Sequence, residues 1–199
     1  MDNNAGFYYT LLHPQTAEYK DRGSKFIGYV FPVTTLEECK AWLEEVQQEH
    51  PKATHHCYAY RLGVEGLVYR MNDDGEPSGS AGKSILGQID RNKLTNILLI
   101  VVRYFGGSLL GLPALTLAYK STAASVLEKV QIVRKSPEAT WKLEFPYARL
   151  NEVMRMVKAP EITLLQKQIG WKCILYIRLP LSLQNKWLSQ LKEIWEVEI

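Results

Sequence analysis

Apolar and polar positions along the chain change period several times, and each change marks an element. Residues 16 to 33 read as a hairpin: Ala17-Glu18-Tyr19-Lys20 runs into the turn cluster Asp21-Arg22-Gly23-Ser24, and Phe26 to Phe31 continues as a largely buried strand. Thr34 or Thr35 then caps a helix with Glu37 and Glu38 in its first turn. Leu36, Cys39, Leu43 and Val46 recur on it at helical spacing, with Trp42 beside them, and Pro51 stops it. His55 to Leu62 and Leu67 to Arg70 are strands joined across Gly63 and Gly66. Asn72 to Gly82 is a polar, turn-dense loop, followed by a short helix from Ser84 that Asn92 ends. Asn96 to Val102 is an apolar, β-branched run, the pattern of a central strand buried on both faces. Pro113 opens a helix that runs to Lys129.

The pattern restarts at Arg134 to Pro137. Thr140 to Phe145 alternates like a half-buried strand, Leu150 to Val157 is helical and ends at Pro160, and Glu161–Gln168 and Trp171–Leu179 are strands that meet near Gly170. Ser182 to Ile194 is a helix, and Trp195 to Ile199 closes as a strand. The order β-α-β-β-α-β is that of a ferredoxin-like unit. A boundary near Lys135 therefore predicts two domains, residues 1–135 and 136–199.

Composition narrows the class. With 199 residues, 46% hydrophobic and 23% charged, the chain can bury a core without staples. No apolar run approaches a membrane span, and the N-terminus lacks the pattern of a signal peptide. Three widely spaced cysteines fit reduced thiols, so a cytoplasmic location is expected. A net charge of +3 is too balanced to announce a nucleic-acid binder, though it leaves room for a local basic patch.

The densest chemistry lies in Asp73-Asp74-Gly75-Glu76-Pro77-Ser78-Gly79-Ser80-Ala81-Gly82-Lys83. Glycines let backbone amides approach a ligand, so this loop suits an anion bound with Lys83. Its carboxylates Asp73, Asp74 and Glu76 suit a hard cation. A self-satisfied structural loop is the alternative. Gly82-Lys83-Ser84 imitates the end of a phosphate-binding P-loop, but Pro77 stands where that motif needs glycine, which rejects a Walker site. Arg103-Tyr104-Phe105-Gly106-Gly107 follows the central strand and joins a cation, two rings and a turn, a set able to hold phosphate and stack on a base. His55-His56-Cys57 offers too few ligands on one strand face for a zinc site. Trp141 and Trp171 read equally as core residues or as stacking platforms.

These blocks, with Leu110-Gly111, Ala118-Tyr119, Ser24-Lys25-Phe26-Ile27 and the His55-His56-Cys57 run, resemble the signatures of the IMPACT family, across most of residues 17 to 130. The chain as a whole resembles the bacterial YigZ-like members. The resemblance implies an α+β protein whose N-terminal domain is ribosomal protein S5 domain 2-like and whose C-terminal domain is ferredoxin-like. That pair is similar to the last two domains of elongation factor G, which touch the ribosome. Eukaryotic relatives regulate translation through an additional RWD domain, so no protein partner is carried over. One departure stands out: family members show a glycine pair where this chain has Pro113-Ala114.

The expected function is therefore non-enzymatic RNA or ribosome binding in translation regulation, with no cofactor and no membrane. Lys83, Arg103, Tyr104, Gly106 and Gly107 are the expected nucleic-acid- or phosphate-binding residues, with Lys83 and Arg103 on phosphate and Tyr104 stacking. Asp73, Asp74, Gly75, Glu76, Gly79 and Gly82 would order the signature loop, with Lys25, His55 and His56 as secondary candidates. Two rivals are a Mg-dependent protein acting on a small phosphorylated or nucleotide ligand, and a protein-interaction scaffold.

Overall fold

The computed structural model describes residues 6–194 and Glu198. The chain divides into two compact units, one of them Tyr8–Lys135 and the other built on Ser136–Ile199.

The first unit begins with β1 (Tyr8–Leu11), which pairs antiparallel with β7 (Ile132–Lys135). Its main sheet contains β2 (Gln15–Asp21), β3 (Ser24–Pro32), β4 (His55–Leu62), β5 (Val68–Asn72) and β6 (Ile97–Tyr104). They lie in the order β2-β3-β6-β4-β5, every pair antiparallel. The β2–β3 turn places Arg22 and Gly23 at φ 45° and 81°, the left-handed pair that a two-residue hairpin requires. Three helices cover the sheet: α1 (Leu36–Glu49), α2 (Gly82–Arg91) and α3 (Leu112–Leu127). Thr35 caps α1 in a reciprocal box with Glu38, as its position before the apolar stripe predicts.

β6 is the middle strand, and its alternation splits the core in two. Leu98, Ile100 and Val102 join Ile27, Phe31, Cys39 and Val46 on the α1 side. Leu99 and Val101 join Phe26, Cys57, Ile85, Leu115 and Tyr119 on the α2–α3 side. Each such buried aliphatic side chain contributes roughly 1.5–3 kcal/mol through loss of apolar surface to water.

The second unit contains β8 (Glu138–Pro146), α4 (Leu150–Val157), β9 (Thr163–Gln168), β10 (Lys172–Pro180) and α5 (Gln184–Glu193). β10 sits between β8 and β9, antiparallel to both, and Glu198 bridges Glu144 on the free side of β8. This is the ferredoxin-like strand order. Leu143, Phe145, Val153, Leu175 and Ile177 fill its core. The strand expected at 195–199 falls outside the described residues except for Glu198. Among the described residues no helix is long and apolar enough to cross a membrane.

Candidate functional site

β6 extends two residues beyond the predicted run, so Arg103 and Tyr104 lie within the strand rather than after it. Successive strand side chains face opposite ways. Arg103 therefore turns to the α2–α3 side and Tyr104 to the α1 side, and the two cannot share one ligand.

On the α2–α3 side the signature loop closes over β6. Arg103 Nη1 donates to Glu76 Oε1 at 2.6 Å, with the two side chains 7% and 4% exposed. Tyr119 on α3 donates its hydroxyl to the same Glu76 oxygen at 2.7 Å. The Arg103 guanidinium carbon lies 5.5 Å from the centre of the Phe26 ring and 5.6 Å from that of Phe105. Among the described residues its guanidinium is engaged by a side chain at Nη1 alone, and Nε is buried without a partner. The expectation that Arg103 reaches out to RNA phosphate is corrected: its charge is already balanced, beneath the surface.

The loop's carboxylates are used separately. Asp73 accepts backbone N–H bonds from Gly79, Ala81 and Gly82 at 2.8–3.0 Å, which joins the loop to the start of α2. Burial raises the Asp73 carboxyl, but the backbone donors outweigh it and hold it below its ordinary value. Asp74, at φ 42°, accepts from the His56 N–H through its side chain, while its carbonyl accepts from His55 Nδ1 at 2.6 Å. Glu76 faces Arg103. The three therefore do not form the shared cation site of the Mg-dependent reading. Among the described residues no group of three His, Cys, Asp or Glu side chains is placed to hold a metal ion.

Two glycines are demanded by packing. A Cβ on Gly82 would stand 2.8 Å from the Asn72 backbone nitrogen, and one on Gly106 only 2.0 Å from the Gly23 carbonyl carbon. Gly75, Gly79 and Gly107 hold φ between 75° and 85°, a region open to glycine at no steric cost. Gly111, at φ 75°, precedes α3, and Pro113 sits in the first turn, where its missing N–H breaks no helical bond.

The remaining candidates scatter. Lys83 is exposed at the start of α2 and has no ion-pair partner among the described residues. Lys25 pairs with Glu18 at 2.7 Å on the surface. Tyr104 lies 2.9 Å from His50 Nδ1, and His50 Nε2 lies 2.6 Å from the Tyr29 hydroxyl, which donates to Glu49. That chain engages the hydroxyl of the residue expected to stack on a base. His56 contacts the His50 carbonyl on the same side, and burial lowers its pKa.

Two residues of the signature blocks take roles that their motifs do not state. Tyr119 reads as an apolar position of α3, yet a buried tyrosine hydroxyl needs a partner, and Glu76 is that partner. Cys57 donates to the Asp73 carbonyl at 3.0 Å, and burial pushes its thiol far up, away from thiolate chemistry. Beside Arg103 a cavity of about 350 Å³ opens, with Phe105, Leu110 and Leu115 among its walls. In the second unit, Trp171 is 97% exposed, while Trp141 packs against the core.

A five-stranded antiparallel sheet between helices, with a glycine-rich acidic loop folded onto an arginine of its central strand, followed by a ferredoxin-like unit, defines the class. The Impact N-terminal domain matches residues 22–127. An IMPACT family member from Haemophilus influenzae is 32% identical over 176 residues, 86% of this chain and 84% of its own. The IMPACT family member YigZ of Escherichia coli is 35% identical over 142 residues, 70% of each chain. A crystal structure of a hypothetical protein superposes over 97% of this chain and 96% of its own, with a TM-score of 0.78 and 27% identity. The chain belongs to the IMPACT family.

Proposed function

We propose that this protein is a non-enzymatic RNA-binding protein of the translation apparatus, with the unit built on Ser136–Ile199 as the RNA-facing module and Tyr8–Lys135 as its companion. The observation that carries the reading is Trp171. It stands 97% exposed in the turn between β9 and β10, and its carbonyl accepts from the Tyr147 N–H at 3.1 Å. Tyr147 and Ile169 are also exposed, and the three border a groove of about 640 Å³. An aromatic face left in water offers a stacking surface to an unpaired base, worth about 1–3 kcal/mol per base. Lys167, exposed near the end of β9, has no ion-pair partner among the described residues and supplies a charge for phosphate. The family's signature residues then act as scaffold: Asp73, Glu76 and Arg103 are paired within the fold, and Cys57 is held as a thiol.

Ribosome co-sedimentation and filter binding of ribosomal RNA, each at two salt concentrations, test this. Binding is expected to fall steeply with salt, and Trp171→Ala is expected to weaken it by about tenfold or more. Absence of binding at low salt, or full binding by Trp171→Ala, removes the proposal.

A further inference from the structure

We propose that β5 is the surface through which two copies of this chain pair edge to edge, joining their five-stranded sheets into one. This inference does not rest on the RNA reading. β5 closes one end of the sheet, and among the described residues no strand lies beyond it. An open edge leaves a row of main-chain N–H and C=O groups free to template another strand. The opposite end of the sheet is guarded by charge: β2 carries Glu18, Lys20 and Asp21, and Glu18 pairs with Lys25 at 2.7 Å. β5 and the residue before it lack that guard. Leu67, Val68, Tyr69 and Met71 stand 74%, 53%, 57% and 47% exposed. The strand has no proline and no lysine, its pairing with β4 runs without a bulge, and Arg70 is its one charge.

Tyr69 is held in place before any partner arrives. Across from it on β4 is Arg61, whose guanidinium carbon lies 5.0 Å from the centre of the Tyr69 ring. Arg61 is itself fixed: Nε and Nη2 donate to Asp90 Oδ1 at 2.8 and 2.6 Å, and Nη1 donates to the Gly66 carbonyl. A large side chain ordered in advance loses little freedom on association, and tyrosine, methionine and arginine are enriched where proteins meet. The charges flanking the ring balance, Arg61 against Asp90 and the exposed Arg70 against the exposed Glu65. That balance suits a partner of the same composition and gives an acidic or a basic strand no advantage.

Twofold symmetry then narrows the register. An axis through the joined sheet keeps each face on its own side, so a residue meets only partners of its own alternation. Centring the axis on Arg70 would set two guanidinium groups opposite one another, which like charge disfavours. Centring it on Tyr69 avoids this. Tyr69 then faces Tyr69 of the other copy, Leu67 faces Met71, and Val68 lies against the aliphatic stem of Arg70. Each copy spends its unguarded edge in the contact, so the assembly closes at two chains.

Sedimentation velocity of the full chain from about 1 to about 200 µM tests the proposal, because a pair forms by mass action. Wild type is expected to reach the mass of two chains at the upper end. Tyr69→Lys, which supplies the missing guard, is expected to keep the wild-type far-UV spectrum and the mass of one chain. Disulfide trapping reads the register, since the three native cysteines are all buried. Directly opposed residues of an antiparallel pair lie about 4.5–5.5 Å apart at Cα, within reach of a disulfide, and diagonal ones at about 7–8 Å are beyond it. Tyr69→Cys is therefore expected to bridge to itself under mild oxidation. Val68→Cys and Arg70→Cys are each expected to remain single chains, and an equal mixture of the two to bridge. A single chain at every concentration would leave the edge to a strand of some other protein and overturn the proposal. So would a pair that survives Tyr69→Lys, a mass beyond two chains, or bridging of Arg70→Cys as fast as that of Tyr69→Cys.

Discussion

Glu76 and Arg103 lie 27 residues apart in sequence and meet at 2.6 Å with both side chains more than nine-tenths buried. A pair this deep adds little over an apolar replacement, but removing one partner strands the other. Glu76→Ala is expected to cost about 3–5 kcal/mol in urea denaturation, and Glu76→Leu with Arg103→Met together less than the sum of the two single changes.

Asp73 supplies an acid-sensitive contribution. Its carboxyl titrates lower in the fold than its ordinary value of 3.8, so the stabilisation is complete above that value and is lost as pH falls through the folded one. Asp73→Asn is expected to lower stability at pH 7 by about 1–3 kcal/mol and to flatten the acid limb of a melting-temperature profile below about pH 4. An acid limb identical to wild type would contradict this account of the loop.

The two adjacent glycines after β6 should respond differently. Gly106→Ala places a Cβ 2.0 Å from the backbone of Gly23 and forces the chains apart, whereas Gly107→Ala meets only the strain of φ 85°. The second change is expected to cost about 1–2 kcal/mol. The first is expected to exceed it clearly, as read from midpoints of urea unfolding.

Cysteine chemistry offers a check on the inert reading of the core. Burial pushes the Cys39 thiol up to about 11 and the Cys57 thiol higher still. Both are expected to alkylate with iodoacetamide at pH 8 only as fast as the protein opens, and at once in denaturant. Rapid labelling of native Cys57 would contradict this account of the core.

The sequence was most informative where one periodicity governs one element. The β-branched run before Arg103 foretells a strand buried on both faces, and Thr35 with Glu38 foretells the start of α1. The pairing of β1 with β7 had no such sign, because two four-residue strands more than a hundred residues apart carry too little pattern to reveal each other. The site was legible as a set of residues but not as an arrangement. Arg103 and Tyr104 look like one binding dipeptide until the strand is known to include them, and then the pleat separates them. Nor does a motif disclose that Arg103 already has an acid beneath it, since that acid belongs to a loop whose path depends on the whole sheet. Trp171 shows the converse. Only the finished hairpin decides whether an indole beside Gly170 turns inward or stays in water.

The near contact of Gly23 with Gly106 reaches beyond either residue. It rivets the tip of the first hairpin to the exit of the central strand, main chain against main chain, leaving no slack at that corner. Lengthening the Arg22–Gly23 tip by even one amino acid would prise the rivet open, so grafts and tags belong elsewhere on this scaffold.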